Sequence, residues 1–322
     1  MIMREWELIQ GQLEDAFSGG IDGVVGGARL GPVIETEAAY GAYLVRTYHG
    51  SDILTCSFFE FFIETLELAA ENAFGGQLSN DNKTYIPFYV SMFATFRNFR
   101  ATEVTKNNGY PLDGFALLRD LKDRAIHLGA VVLGAAEILA LHGVGVDDRA
   151  KKWTEIDYKR VRRRRIAEEN TAMKVMVGSD SGLSDDDRRE LEKWRDLFHE
   201  EVHGSRFTYV EDFRRLVVDR RLPPFGPEPH ENVRDVSMFL NRSLEVAWMV
   251  LRIFPFLQLR PRAFGEGWVA KWELLDEACR LQSESLGDLG KPIGYAFIRF
   301  MDAKFPFSPD TAFEDRGPDG DD

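Results

Sequence analysis

Residues 53–74 constrain the fold more than any other stretch, because Phe58, Phe59, Phe61, Phe62 and Ile63 spread a broad apolar surface around one helix. A surface helix buries one stripe. A segment apolar over so much of its circumference must be covered from several sides, so other helices have to surround it. Ser51 and Asp52 stand where an N-cap for this helix is expected. Glu60, Glu64, Glu67 and Glu71 recur at steps of about one turn and form a carboxylate stripe along it. A di-iron bundle would need inward glutamates and two Glu-x-x-His pairs, and only Glu200 to His203 has that spacing, so the stripe is read as solvated or salt-bridged.

The rest of the chain keeps the helical period. Trp6, Ile9, Leu13 and Phe17 make one stripe over residues 2–17. The glycines at 19, 20, 23, 26, 27 and 31 have neither a preceding strand nor a following Gly-Lys-Ser/Thr, so they read as a linker and not a phosphate loop. Helices are expected over 33–48 with Pro32 in the first turn, 53–74, 87–106, 111–141, 153–177, 184–203, 207–219, 230–254, 268–286 and 295–305. Ser184-Asp185-Asp186-Asp187 supplies a cap, and Asn107-Asn108-Gly109 a break. Few stretches alternate with period two. The fold class is therefore all-α, a multi-helix bundle of about ten helices. The expected division is residues 1–31 as N-terminal helix and linker, 32–221 as a central bundle, 230–307 as a C-terminal helical unit, and 308–322 as a disordered acidic tail. The stiff run Leu222-Pro223-Pro224-Phe225-Gly226-Pro227-Glu228-Pro229 marks the boundary between the two units.

Charge and cysteine usage narrow the function classes. A formal net charge of -13 on 322 residues excludes a general nucleic-acid coat, which needs a cationic surface. Cys56 and Cys279, each within an apolar helical pattern, are expected to be buried free thiols of a reducing compartment. The opening Met-Ile-Met-Arg-Glu-Trp-Glu-Leu lacks the order of a signal peptide, and the longest weakly polar run, 128–141, contains Glu137 and is shorter than the roughly 20 residues that span a bilayer. A cytoplasmic protein with no membrane segment is expected.

Chemistry concentrates at His199-Glu200-Glu201-Val202-His203, a match to the HExxH pattern. Leu191, Trp194, Phe198 and Val202 form the buried stripe of that helix, which places Arg195, His199 and His203 on the adjacent ridge. On a zinc-hydrolase reading His199 and His203 hold zinc and Glu200 activates water. Arg195 would repel that metal, Glu201 puts a charge in an inner position that is usually uncharged, and nothing selects a third ligand among Glu211, Glu228 and Glu231. On a second reading Arg195 stabilises phosphate and His203 moves a proton, with no cofactor. On a third the histidines are structural, hydrogen-bonded to Asp196 and Glu200. The run Lys159-Arg160-Val161-Arg162-Arg163-Arg164-Arg165 sweeps a whole helical circumference and reads as a salt-laced face with Glu155, Asp157, Glu168 and Glu169. Arg162 and Arg163 are the candidates there for RNA phosphate contact. In 111–141 the charges Arg119, Asp120, Lys122, Asp123 and Arg124 must pair or face water. Arg119 and Arg124 are candidate binding residues, and Arg119 is expected to pair with a carboxylate of the 53–74 helix.

The chain resembles the HEPN-like superfamily of helical proteins through Gly109-Tyr110-Pro111 running into Leu117-Leu118-Arg119-Asp120-Leu121, and through Phe198 to Ser205, ending Val202-His203-Gly204-Ser205. The resemblance covers roughly residues 90 to 210. It implies a helical bundle related to RNases, or to their inactive relatives, of prokaryotic toxin and defence systems, with Arg195 and His203 as carried-over catalytic residues and Arg119 as a second polar position. The RNase members place four to six residues between Arg and His, whereas Arg195 leaves three before His199 and seven before His203. The leading expectation is a binding or sensing component that assembles with itself or another protein. A metal-independent RNase and a zinc hydrolase are the alternatives.

Overall fold

The computed structural model describes residues 31–72, 85–132, 233–258 and 263–287, with short pieces at 184–186, 188–189, 214 and 217–220, and Asp302. Six long α-helices and one 3-10 turn account for almost all of these residues, with no strand among them. The described residues are thus all helical apart from short turns, as the all-α expectation requires of them.

Helix α1 (Gly31–Thr47) starts with Pro32 in its first turn, where a missing N–H costs no helical hydrogen bond. Helix α2 (His49–Asn72) begins before the expected cap. Asp52 N donates to the Tyr48 carbonyl at 3.0 Å, and the Ser51 hydroxyl instead accepts from Gln282 Nε2 at 3.2 Å, so Ser51 ties two helices together and caps neither. Helices α3 (Tyr85–Asn107) and α4 (Pro111–Val132) are joined by the expected break. There Tyr110 N donates to the Thr105 carbonyl at 3.1 Å and Gly109 N to the Lys106 carbonyl at 2.9 Å, with Gly109 at φ 91°. That crossed pair of bonds ends a helix on a left-handed residue, a conformation glycine adopts without Cβ strain. Pro111 then opens α4.

Helix α5 (Val233–Ile253) runs into the 3-10 turn Phe254–Leu257, and α6 (Glu266–Gly287) follows. Each of α2 to α6 packs on the next, and α6 returns to α2, so the five helices close around one core while α1 lies against α2 and α3. Phe254 is fully buried, with ring centroids 5.9 Å from Phe58, stacked, and 4.7 Å from Phe62. Phe58 also meets Phe99 of α3 edge-on at 5.4 Å, and Phe61 meets Trp268 of α6 at 5.2 Å. Covering α2 from several sides is what its sequence demanded. Ile63 is the exception and lies exposed.

The buried polar groups that join helices across the core are paired, as a low-dielectric interior favours. Thr65 gives its hydroxyl proton to the Phe61 carbonyl at 2.7 Å and accepts from Trp268 Nε1 at 2.8 Å. Arg252 forms a bidentate ion pair with Asp276, which also accepts from Trp248 Nε1 at 2.8 Å. The expected boundary at 222–229 lies outside the described residues, and helices from both sides of it share the core just described. The expected segments at 2–17, 153–177 and 308–322 lie outside the described residues too. Residues 185–186 and 188–189 are helical, and the Ser184 carbonyl accepts from Arg188 N at 3.0 Å.

Candidate functional site

Arg195, His199, Glu200 and His203, together with Arg162 and Arg163, lie outside the described residues. Among the described residues no cluster of three or more His, Cys, Asp or Glu side chains is placed to hold a metal ion. Arg119 and Arg124 are described, and both sit in ion pairs of their own helix. Arg124 Nε lies 2.8 Å from Asp120 Oδ2, a carboxylate that also accepts from Asn98 of α3 at 2.8 Å. Arg119 Nε lies 4.0 Å from Asp123, one turn on, a carboxylate of its own helix where one from the 53–74 helix was expected. Asp123 in turn lies 3.6 Å from the ammonium of Lys122, a side chain held in the core. The charges of α4 are thus spent largely on one another.

Two of the openings among the described residues differ in what they can hold. The first, of about 30 Å³, lies where α2, α3, α5 and α6 meet and is lined on its polar side by Ser51, Glu103, Ser243 and Gln282. Glu103 is buried with Lys106 as its ion-pair partner and accepts from the Ser243 hydroxyl at 3.4 Å. That volume accommodates about one water molecule and no substrate.

The second is a groove of about 860 Å³ between α2 and α6. The two helices are antiparallel there: Ser51 meets Gln282 at one end, and Glu64 meets Lys271 at 2.8 Å near the other. Ile53, Cys56, Ser57 and Glu60 line the α2 side, and Leu274, Ala278 and Leu281 the α6 side. These α6 positions fall at i, i+4 and i+7, one face of the helix. Leu274 is 70% exposed, Leu281 52% and Ile53 52%, whereas Trp268, Trp272, Leu275 and Cys279 of the same helix α6 are buried. From Ile53 to Glu64 the groove spans three turns, about 16 Å at 1.5 Å per residue.

Cys56 is exposed in this groove, which corrects the expectation of two buried thiols; only Cys279 is buried. The reason is register. Cys56 lies two residues before Phe58 and so points away from the core that Phe58 and Phe62 enter. Partial desolvation, with the Asp52 and Glu103 carboxylates, pushes the Cys56 thiol above its usual range, so at neutral pH it is the protonated, weakly nucleophilic form. The carboxylate stripe of α2 is as read: Glu60, Glu67 and Glu71 are exposed and Glu64 is salt-bridged. What the sequence analysis missed is that this stripe borders an apolar trough. Leu274 and Leu281 carry that signal at a spacing of seven, outside the buried stripe of α6.

No protein-family model, no curated protein and no solved structure matches this chain. No described helix is long and apolar enough to cross a membrane.

Proposed function

We propose that the protein is a binding component whose α2–α6 groove receives an amphipathic helix of a partner protein. The observation that carries this reading is the convergence of Ile53, Leu274 and Leu281, all more than half exposed, on one trough between two helices. Burying such side chains against an apolar helix face returns about 25 cal/mol for each Å² taken from water. The walls are helices whose backbone groups are already bonded internally, so an extended peptide would find no ladder to join. A helical occupant brings its own backbone bonds satisfied. A drug-sized molecule would be poorly enclosed, because sites for such ligands bury most of the ligand surface and Leu274 stands largely in water. The HEPN-like motifs at 109–121 and 198–205 support placing this component in a prokaryotic toxin or defence system, with the central helices as the HEPN-like part.

The test uses a synthetic helical peptide carrying leucines at i, i+4 and i+7, with binding followed by fluorescence anisotropy on the full chain. Leu274→Asp and Leu281→Asp should each weaken binding by about 2 kcal/mol, roughly thirtyfold, while thermal unfolding is unchanged. Binding that survives both substitutions would overturn the reading.

A further inference from the structure

The groove has a charged border as well as an apolar floor, and its sign selects among occupants. On α2 the carboxylates of Glu60, Glu67 and Glu71 are exposed, and no described cation pairs with them; only Glu64 is neutralised, by Lys271. On α6 Glu273 is exposed, and Glu277 is held by Arg280, whose side chain bonds it below the usual carboxylate range. Glu60 lines the groove itself, and Glu67 continues its row two turns on. The whole chain carries a net charge of -13.

We propose that the occupant is a basic amphipathic helix, with a leucine-type apolar seam seated between Ile53 and Leu274 and lysine or arginine flanking the seam on the α2 side. This rests on the docking reading of the groove and adds the chemistry of the partner to it. A second copy of this chain fits less well, because it would bring an equally acidic border against this one, and like charges at an interface oppose association. A basic flank meets Glu60 and Glu67 without displacing the Glu64–Lys271 pair. Its attraction is that of surface charges, so it acts on encounter and specificity and fades with salt.

Two peptides of equal length and equal leucine seam serve as probes, one flanked by lysines and one by glutamates. Each is titrated against the full chain, against Glu60→Lys with Glu67→Lys, and against Leu274→Asp. The lysine peptide should bind at least about tenfold tighter than the glutamate peptide at low salt, and the margin should shrink as ionic strength passes 0.1 M. The double charge reversal should abolish or invert that preference while leaving the thermal transition in place. Leu274→Asp should weaken binding of both peptides by roughly thirtyfold. Equal affinity for the two peptides, each still weakened roughly thirtyfold in Leu274→Asp, would overturn the basic partner and leave the groove as a docking site. A lysine preference that persists in Leu274→Asp would place binding elsewhere and overturn both. A dimer by light scattering that Leu274→Asp dissolves would make a second copy the occupant, and would overturn the basic partner as well.

Discussion

Removing the Asp276 carboxylate with Asp276→Ala should destabilise the fold by about 3–5 kcal/mol, because it strands a guanidinium in the core. Arg252 and Asp276 are both buried. Arg252 gives Asp276 two parallel hydrogen bonds, the second at 3.0 Å, and its guanidinium lies 5.7 Å from the Trp248 ring centroid and 5.8 Å from that of Trp272. After the substitution the nearest described carboxylate is Asp302 at 3.7 Å, which is itself mostly solvated and so offers weak compensation. Trp248 Nε1 loses its acceptor in the same step. The size of the loss therefore reflects stranded charge and not missing atoms, and that distinction can be measured. Arg252→Met with Asp276→Leu replaces the pair by apolar groups of similar bulk and should recover about half of the loss, with about 1–3 kcal/mol remaining for the unpaired Trp248 N–H. Urea unfolding followed by tryptophan fluorescence reads both, since Trp248 and Trp272 flank the pair. A single variant that costs less than about 1 kcal/mol, or a double variant no more stable than the single, would refute the reasoning.

Tyr110 donates to Glu37 Oε1 at 2.7 Å, and partial burial together with that carboxylate pushes its phenol up to about 12. The folded state then keeps a proton that the unfolded chain releases near 10, so this contribution to stability is whole below pH 10 and is lost as pH rises from about 10 to about 12. Burial also raises the Tyr89 phenol, so ultraviolet titration should show a late component that shrinks by one tyrosine in Tyr110→Phe and moves earlier in Glu37→Gln. A Cβ on Gly114 of α4 would stand 2.7 Å from Phe239 Cε2, a ring held in the core, so Gly114→Ala should cost about 1–3 kcal/mol despite its gain in helix propensity. Gly267→Ala, in the first turn of α6 with nothing within 4 Å, should instead stabilise by about 0.4–1 kcal/mol, both read from the urea midpoint. Iodoacetamide should label Cys56 in the native protein, slowly at pH 7 and faster at higher pH. Cys279, buried and with its thiol raised by desolvation, should react only after unfolding. Native labelling at both cysteines would contradict the packing of α6.

Helix positions were legible because their period is a local property. The expected 87–106 and 268–286 differ by one or two residues from Tyr85–Asn107 and Glu266–Gly287, and the Asn107-Asn108-Gly109 break fell where a left-handed glycine is needed. Ser51 was misread as a cap because its partner, Gln282, lies on another helix, and no local pattern shows that. Cys56 was misread for a related reason: apolar neighbours in sequence do not say which face a residue takes when aromatics cover most of the helix. The pairing of charges on α4 was foreseeable from i, i+4 spacing, and Arg124 with Asp120 is such a pair. The groove was not foreseeable, because it exists only where two segments some 220 residues apart lie side by side.

Exposed apolar side chains also occur on α3, where Val90, Phe93 and Val104 are each between 40% and 48% exposed and Arg97 lies over the Phe93 ring at 4.7 Å. They share the greasiness of Leu274 and Leu281, but they line no described cavity. A ligand side chain on such a face contacts one wall, whereas one seated between α2 and α6 contacts two, and dispersion and desolvation both scale with the atoms met. If concavity decides docking, Val90→Asp and Val104→Asp should change affinity for the leucine-seam peptide by less than about twofold under the conditions in which Leu274→Asp weakens it roughly thirtyfold. Equal losses from both sets would mean that the peptide reads exposed hydrocarbon wherever it lies, and the case for α2–α6 as a specific site would fail.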